Sequence, residues 1–236
     1  MTCFNAECLL AVFATSANAA PLLPELLWGQ IWLSFGWSVV LAAAGVALFA
    51  AWVPIASRRT KGVRVALAAV LAVWCWLPGW YGASFWLGLA FQAPSIATVA
   101  CCIAFLWLNR AGLCAAGDRD DLLPTVSAGG VWVVGAGVAL GWVLLLDTLG
   151  VWPVSVYHWG FHPAAASLAV LIAGIAWAVG GLRCPTHVCL LALGGAALFV
   201  TLRLPTGNLW DALLDPLLWL GLNGVAVRRL WASKRA

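Results

Sequence analysis

The sequence predicts an all-α fold: a polytopic integral membrane helix bundle of about seven transmembrane helices, N-terminus out and C-terminus in. Three observations carry this. Of 236 residues, 64% are hydrophobic and 8% charged, about a third of the roughly 25% charge of an ordinary soluble domain. The apolar residues fall into successive stretches near 20 residues, the length that crosses about 30 Å of hydrocarbon. Lys and Arg gather in alternate connecting segments, as they do when cytoplasmic loops retain positive charge. Nothing is left over for a soluble domain, so residues 1–236 read as one membrane domain.

The spans fall, in order, at about residues 28–54, 63–79, 83–108, 129–149, 164–182, 187–204 and 209–227, preceded by an outward-facing segment, 1–27. With no water in the bilayer core each span must satisfy its own backbone, and period-2 alternation is absent, so the spans are helices rather than barrel strands. The opening segment imitates a signal peptide, with an apolar run from Cys8 to Ala14 and an Ala17-Asn18-Ala19 triplet. It has no Lys or Arg before that run and contains Glu7, which argues against cleavage.

The loop after the first span carries Arg58, Arg59, Lys61 and Arg64 and is placed in the cytoplasm. Arg110 and Arg119 after the third span, Arg183 after the fifth, and Arg228, Arg229, Lys234 and Arg235 in the tail keep the same side. Eleven of twelve basic residues agree, leaving Arg203 alone outside. The third span is interrupted by Gln92, Pro94 and Ser95. Pro94 cannot donate to the carbonyl of residue 90, so either the helix bends and neighbours satisfy it, or it breaks and opens polar groups into a cavity. In the fourth to sixth spans Gly137-x3-Gly141, Gly174-x3-Ala178 and Gly194-Gly195 supply the small residues that let helices approach. The Asp118, Asp120 and Asp121 run reads as a solvated loop.

Seventeen tryptophans also suit a membrane, because an indole joins an apolar body to one N–H donor and settles at the interface. Trp28, Trp32, Trp74, Trp76, Trp80, Trp86, Trp152, Trp159 and Trp210 form an expected outer belt, and Trp52, Trp107, Trp132 and Trp231 an inner one. Trp37, Trp142, Trp177 and Trp219 fall deeper, as packing.

Charge within the last hairpin is the strongest functional signal. Spans six and seven are joined by Pro205-Thr206-Gly207-Asn208, where Asn208 caps the new helix and Asp211 sits in its first turn. Arg203 faces that turn, so an Arg203–Asp211 clasp is expected. Asp215 lies about 10 Å deeper at 1.5 Å per residue, beyond the reach of that cap, and must face the interior, be paired or be protonated. Asp211, Asp215, Trp219 and Asn223 recur every four residues and so share one helix sector, either a polar seam between helices or a path for an ion, proton or solute.

In the preceding loop, His158 and His162 stand at i,i+4 and would share a face if residues 154–162 were helical. They could then ligate a metal with Asp147 or Asp211 as third ligand, although interfacial histidines are the simpler reading. Histidines placed in loops do not suit a b-type haem, and Cys184, His187 and Cys189 with Cys114 match no recognised zinc spacing. No phosphate loop, nucleophile elbow, CxxC pair or HExxH occurs, and no cofactor is indicated. Basic residues in short separated runs exclude a nucleic-acid face.

Three functions follow. The first is a permease-like protein of a bacterial inner membrane that binds or moves a small solute or ion. Asp215 would be its responsive acid, Asp211 and Arg203 an outer gate, Gln92 and Ser95 midplane contacts, and Asn223 a continuation of the path. The second is a non-catalytic membrane subunit or assembly factor, whose polar groups meet a partner or a second copy. The third is an outer-leaflet enzyme using His158, His162 and the aspartates.

Overall fold

The computed structural model describes residues 23–53, 58–110, 128–151, 155–162, 164–165, 167–171, 174 and 186–233, and every regular element among them is helical. α1 (Leu26–Trp52) and α2 (Arg58–Trp74) take the places of the first two spans. A 3₁₀ turn (Gly79–Tyr81) leads into α3 (Ala83–Phe91) and α4 (Ile96–Arg110), which divide the third. α5 (Ala128–Thr148) takes the fourth, α6 (Val156–Trp159) is a single turn in the following loop, and α7 (Thr186–Leu202) takes the sixth. α8 (Leu209–Leu213) and α9 (Pro216–Ser233) divide the seventh. Cys3 and Cys8, the loop with Cys114, Asp118, Asp120 and Asp121, and Trp152, Trp177, Arg183 and Cys184 lie outside the described residues.

Among the described residues one helix, α1, is long and apolar enough to cross a membrane unbroken, with 27 residues and a mean hydropathy of 2.0. That length corresponds to about 40 Å at 1.5 Å per residue. Ile96–Trp107, Val134–Thr148 and Leu193–Leu202 are shorter apolar helices.

The stretches expected as the third and seventh spans are interrupted for the same chemical reason. Pro94 lacks an N–H and disfavours helical geometry at Ala93, and α3 ends at Gln92, whose φ of +63° is left-handed. Ser95 restarts the helix as a cap: its Oγ accepts the N–H of Thr98 at 3.0 Å and donates to Thr98 Oγ1 at 2.8 Å. Between α8 and α9 Leu214 is extended, with φ −144° and ψ 126°, and α9 begins at Pro216, where a missing N–H does no harm. The continuous polar sector expected from Asp211 to Asn223 is therefore cut between Leu213 and Pro216, and the period of four loses its meaning across the break.

α4 is the centre of the packing, touched by α1, α7, α8 and α9. The core gathers Trp32 of α1, Ile96 and Val99 of α4, Phe199 of α7, and Leu209 and Ala212 of α8. A second cluster joins Trp37, Cys75 and Ala83. α1 and α2 pair lengthwise, with Ser38 Oγ within 3.0 Å of the Ala72 carbonyl. At their far end Arg64, buried, donates to the Val53 carbonyl at 3.1 Å, which places a cation at the negative end of α1.

The glycine motifs divide. Gly141 lies so close to Trp219 of α9 that an added Cβ would overlap the indole, with Cγ at 2.8 Å; at Gly137 it would meet Leu222 Cδ1 at 2.6 Å. At Gly195 it would reach Ile96 of α4 at 2.9 Å, whereas Gly174 and Gly194 face open space. Of the tryptophans assigned to the outer belt, Trp28, Trp74, Trp76, Trp80, Trp86 and Trp159 are exposed, but Trp32 is a core residue.

Candidate functional site

Both helix interruptions converge on one side chain. Asp215 Oδ1 accepts the N–H of Leu218 at 2.7 Å, which makes Asp215 the cap of α9. Its Oδ2 accepts the N–H of Ser95 at 2.8 Å, the residue that caps α4. One carboxylate thus closes the N-terminal ends of two half-helices, where backbone donors and the positive ends of two helix dipoles favour negative charge. Asp215 was expected to lie beyond capping; instead it is itself the cap, because Pro216 starts a new helix there.

The carbonyls freed on the α3–α4 side are met from α1. Trp32 Nε1 donates to the Pro94 carbonyl at 3.0 Å, and Trp37 Nε1 donates to the Gln92 carbonyl at 2.9 Å. The helix is broken rather than bent, and these backbone groups are paired within the chain. Ser95 is fully buried and serves as a cap, while the Gln92 side chain is exposed. Asn223 Nδ2 donates to the Trp219 carbonyl one turn back in its own helix, at 2.8 Å. Trp219 Nε1 in turn donates to the Val138 carbonyl of α5 at 3.3 Å.

A second polar cluster clasps the α6 loop to the α7–α8 turn. Asn208, completely buried, caps α8 by accepting the Trp210 N–H at 2.9 Å, as expected, and its Nδ2 donates to the Tyr157 carbonyl at 3.0 Å. Trp210 Nε1 donates to the Val156 carbonyl at 3.0 Å, and the Leu209 N–H to the Gly160 carbonyl at 3.0 Å. Gly160 is required for this approach, since a Cβ there would overlap Asn208 Oδ1 and come within 2.7 Å of Trp210 Cδ1.

Asp211 completes the clasp by accepting the Tyr157 hydroxyl at 2.8 Å and the Thr206 hydroxyl at 2.5 Å, both on Oδ2. Burial, followed by the hydrogen bond to Asp211 and that residue's charge, pushes the Tyr157 hydroxyl well above its ordinary value of 10.0. The expected Arg203–Asp211 clasp is not formed. Arg203 ends α7 with a left-handed φ of +53° and lays its guanidinium over the Phe199 ring, 5.4 Å from the centroid. Tyr157 and Thr206 were missed as site residues, and Asn208 was expected only as a cap; the turn-forming Pro205-Thr206-Gly207-Asn208 run signalled Thr206 and Asn208, while Tyr157 lies outside it.

The metal expectation loses its geometry. The helix expected over residues 154–162 is only the single turn Val156–Trp159, so His158 and His162 do not share a helical face. His162 Nδ1 accepts the Ala164 N–H at 3.1 Å, and Asp147 is engaged by the Tyr157 N–H at 2.7 Å and Ser155 Oγ at 3.2 Å. Among the described residues no three His, Cys, Asp or Glu side chains are grouped to hold a metal ion. Searches of protein-family models, curated proteins and solved structures returned no match to the chain.

Proposed function

We propose that this chain is a multi-pass protein of a bacterial inner membrane with seven spans, N-terminus out, that binds or moves a small solute or ion beside Asp215. The observation that carries this reading is the meeting of two interrupted helices at one carboxylate. In membrane proteins irregular backbone at depth persists where it is buried in protein or lines a path, and paired half-helices with facing termini are a common way to build such a path. The bilayer itself is supported by α1, whose most apolar stretch is only 33% buried. In water that exposed apolar surface would be unfavourable at about 25 cal/mol per Å², whereas hydrocarbon removes the penalty.

The test is flux. Purified protein in proteoliposomes with internal pH- and sodium-sensitive dyes should dissipate an imposed proton or sodium gradient. Asp215→Asn should abolish that flux while keeping a monodisperse elution profile. If the wild-type protein conducts no more than empty liposomes, the permease reading fails.

A second reading, a non-catalytic membrane subunit or assembly factor, is favoured by the pairing of the interrupted backbone with Trp32, Trp37 and Asp215. With those donors and acceptors satisfied internally, Asp215 would be a joint between helices. Stoichiometric co-purification of a partner in mild detergent supports this alternative.

A further inference from the structure

Two arginines among the described residues have a buried nitrogen without a hydrogen-bond partner, Arg64 Nε and Arg203 Nη1. Arg64 has an evident task, because another of its nitrogens holds the Val53 carbonyl at the end of α1. Arg203 has none. Its guanidinium makes no hydrogen bond or ion pair among the described residues and rests on the face of Phe199, itself 1% exposed. A cation over a ring is attracted to it, but the ring accepts none of the in-plane N–H bonds. A buried donor without an acceptor loses the hydration it had in water and gains nothing in return, so it calls for an explanation.

The nearest explanation in sequence, a pair with Asp211, is not formed. Tyr157 and Thr206 both hydrogen-bond to that carboxylate. Arg203 is also held in place by its backbone. The left-handed φ of +53°, uncommon for a residue with a side chain, is secured by its N–H to the Phe199 carbonyl at 2.9 Å and by the Gly207 N–H to its own carbonyl at 2.7 Å. Such an outlier persists where surrounding structure imposes it. The residue as a whole is half-buried, and Nη1 itself is buried.

We infer that Arg203, at the turn between α7 and α8, is a binding site for an oxyanion, a phosphate or carboxylate group, that completes the unpartnered guanidinium. The planar fork of an arginine presents paired donors that match the two oxygens of such a group, and the hydrogen bonds are charge-assisted. The group belongs either to an anionic phospholipid headgroup or to a free solute. The lipid source rests on the proposed membrane reading; the free anion does not.

Wild type, Arg203→Gln and Arg203→Lys separate these cases. In one arm, native mass spectrometry of protein released from mild detergent compares retention of phosphatidylglycerol with phosphatidylcholine. In the other, inorganic phosphate and acetate are titrated against thermal unfolding. Wild type is expected to hold phosphatidylglycerol selectively or to be stabilised by the free anions, with binding at least tenfold weaker in Arg203→Gln and intermediate in Arg203→Lys, which keeps charge without the fork. Equal binding by all three proteins, or none by wild type in either arm, overturns the inference. If Arg203→Gln elutes as aggregate, Arg203→Lys decides: affinity equal to wild type overturns the site. Failure of the protein to co-float with vesicles would instead overturn the membrane reading, while the phosphate titration still reports on Arg203.

Discussion

Asp215 shows how an apolar chain keeps a carboxylate: each oxygen meets a backbone N–H, one from Leu218 and one from Ser95. Asp215→Ala removes both acceptors and should lower stability by about 2 kcal/mol or more, since each buried donor left unmet costs roughly 1–3 kcal/mol. Asp215→Asn retains one acceptor and should lose less; thermal unfolding in a fixed detergent ranks the three proteins. The charge itself was conspicuous in the sequence, but its partner was not, because Ser95 lies 120 positions away and a backbone N–H has no residue-type signature. Tyr157 gives a pH prediction of definite sign. Its folded-state value is raised, so its contribution to stability is complete below the ordinary value of 10.0 and is lost as pH rises from there through the folded value. Wild type should therefore lose more stability than Tyr157→Phe between pH 9.5 and 11, about, and equal slopes would remove Tyr157 as the cause.

The helices were legible as apolar stretches, and the prolines marked where two of them are interrupted. Whether Pro94 bends or breaks its helix was not legible, because the outcome depends on Trp32 and Trp37 arriving from α1 to take the freed carbonyls. Trp32→Phe keeps most of the ring and removes that donor, so it should cost about 1 kcal/mol and loosen the α3–α4 break. Amide hydrogen exchange near Ser95 reports it. Close approaches give sharper tests. Gly160→Ala should open the clasp between the α6 loop and the α7–α8 turn, at about 1–3 kcal/mol, since the new methyl displaces Asn208. Gly141→Ala should separate α5 from α9 in the same range and change the fluorescence of Trp219 and Trp142, whose rings lie 5.3 Å apart. Gly174, whose motif looks equivalent in sequence, faces open space, and Gly174→Ala should be near neutral.

For the assembled chain the proposed topology makes a direct prediction. In spheroplasts an impermeant thiol reagent should leave Cys184 and Cys189 unlabelled until the membrane is permeabilised; labelling from outside would reverse the orientation drawn from Lys and Arg placement. Exposed Trp74, Trp76, Trp80 and Trp86 lie around the turn from α2 to α3, where the proposed topology puts the outer interface, and brominated lipids should then quench them strongly. Weak quenching of that group would count against the bilayer.

Composition and spacing were sufficient for the helical class and for a strongly apolar exterior, since hydropathy is a property each residue carries with it and short-range periodicity follows from backbone geometry. They also located the residues that do not belong in apolar sequence, Arg203, Asp211 and Asp215. The pairings came only from the folded chain: Asp215 with Ser95, Asp211 with Tyr157 and Thr206, and Arg203 with the ring of Phe199 and no acceptor. A polar group's partner depends on which distant segments meet and at what angle. A one-residue turn into left-handed backbone at Arg203 or a proline at 216 redirects a side chain in ways that spacing along an unbroken helix does not record.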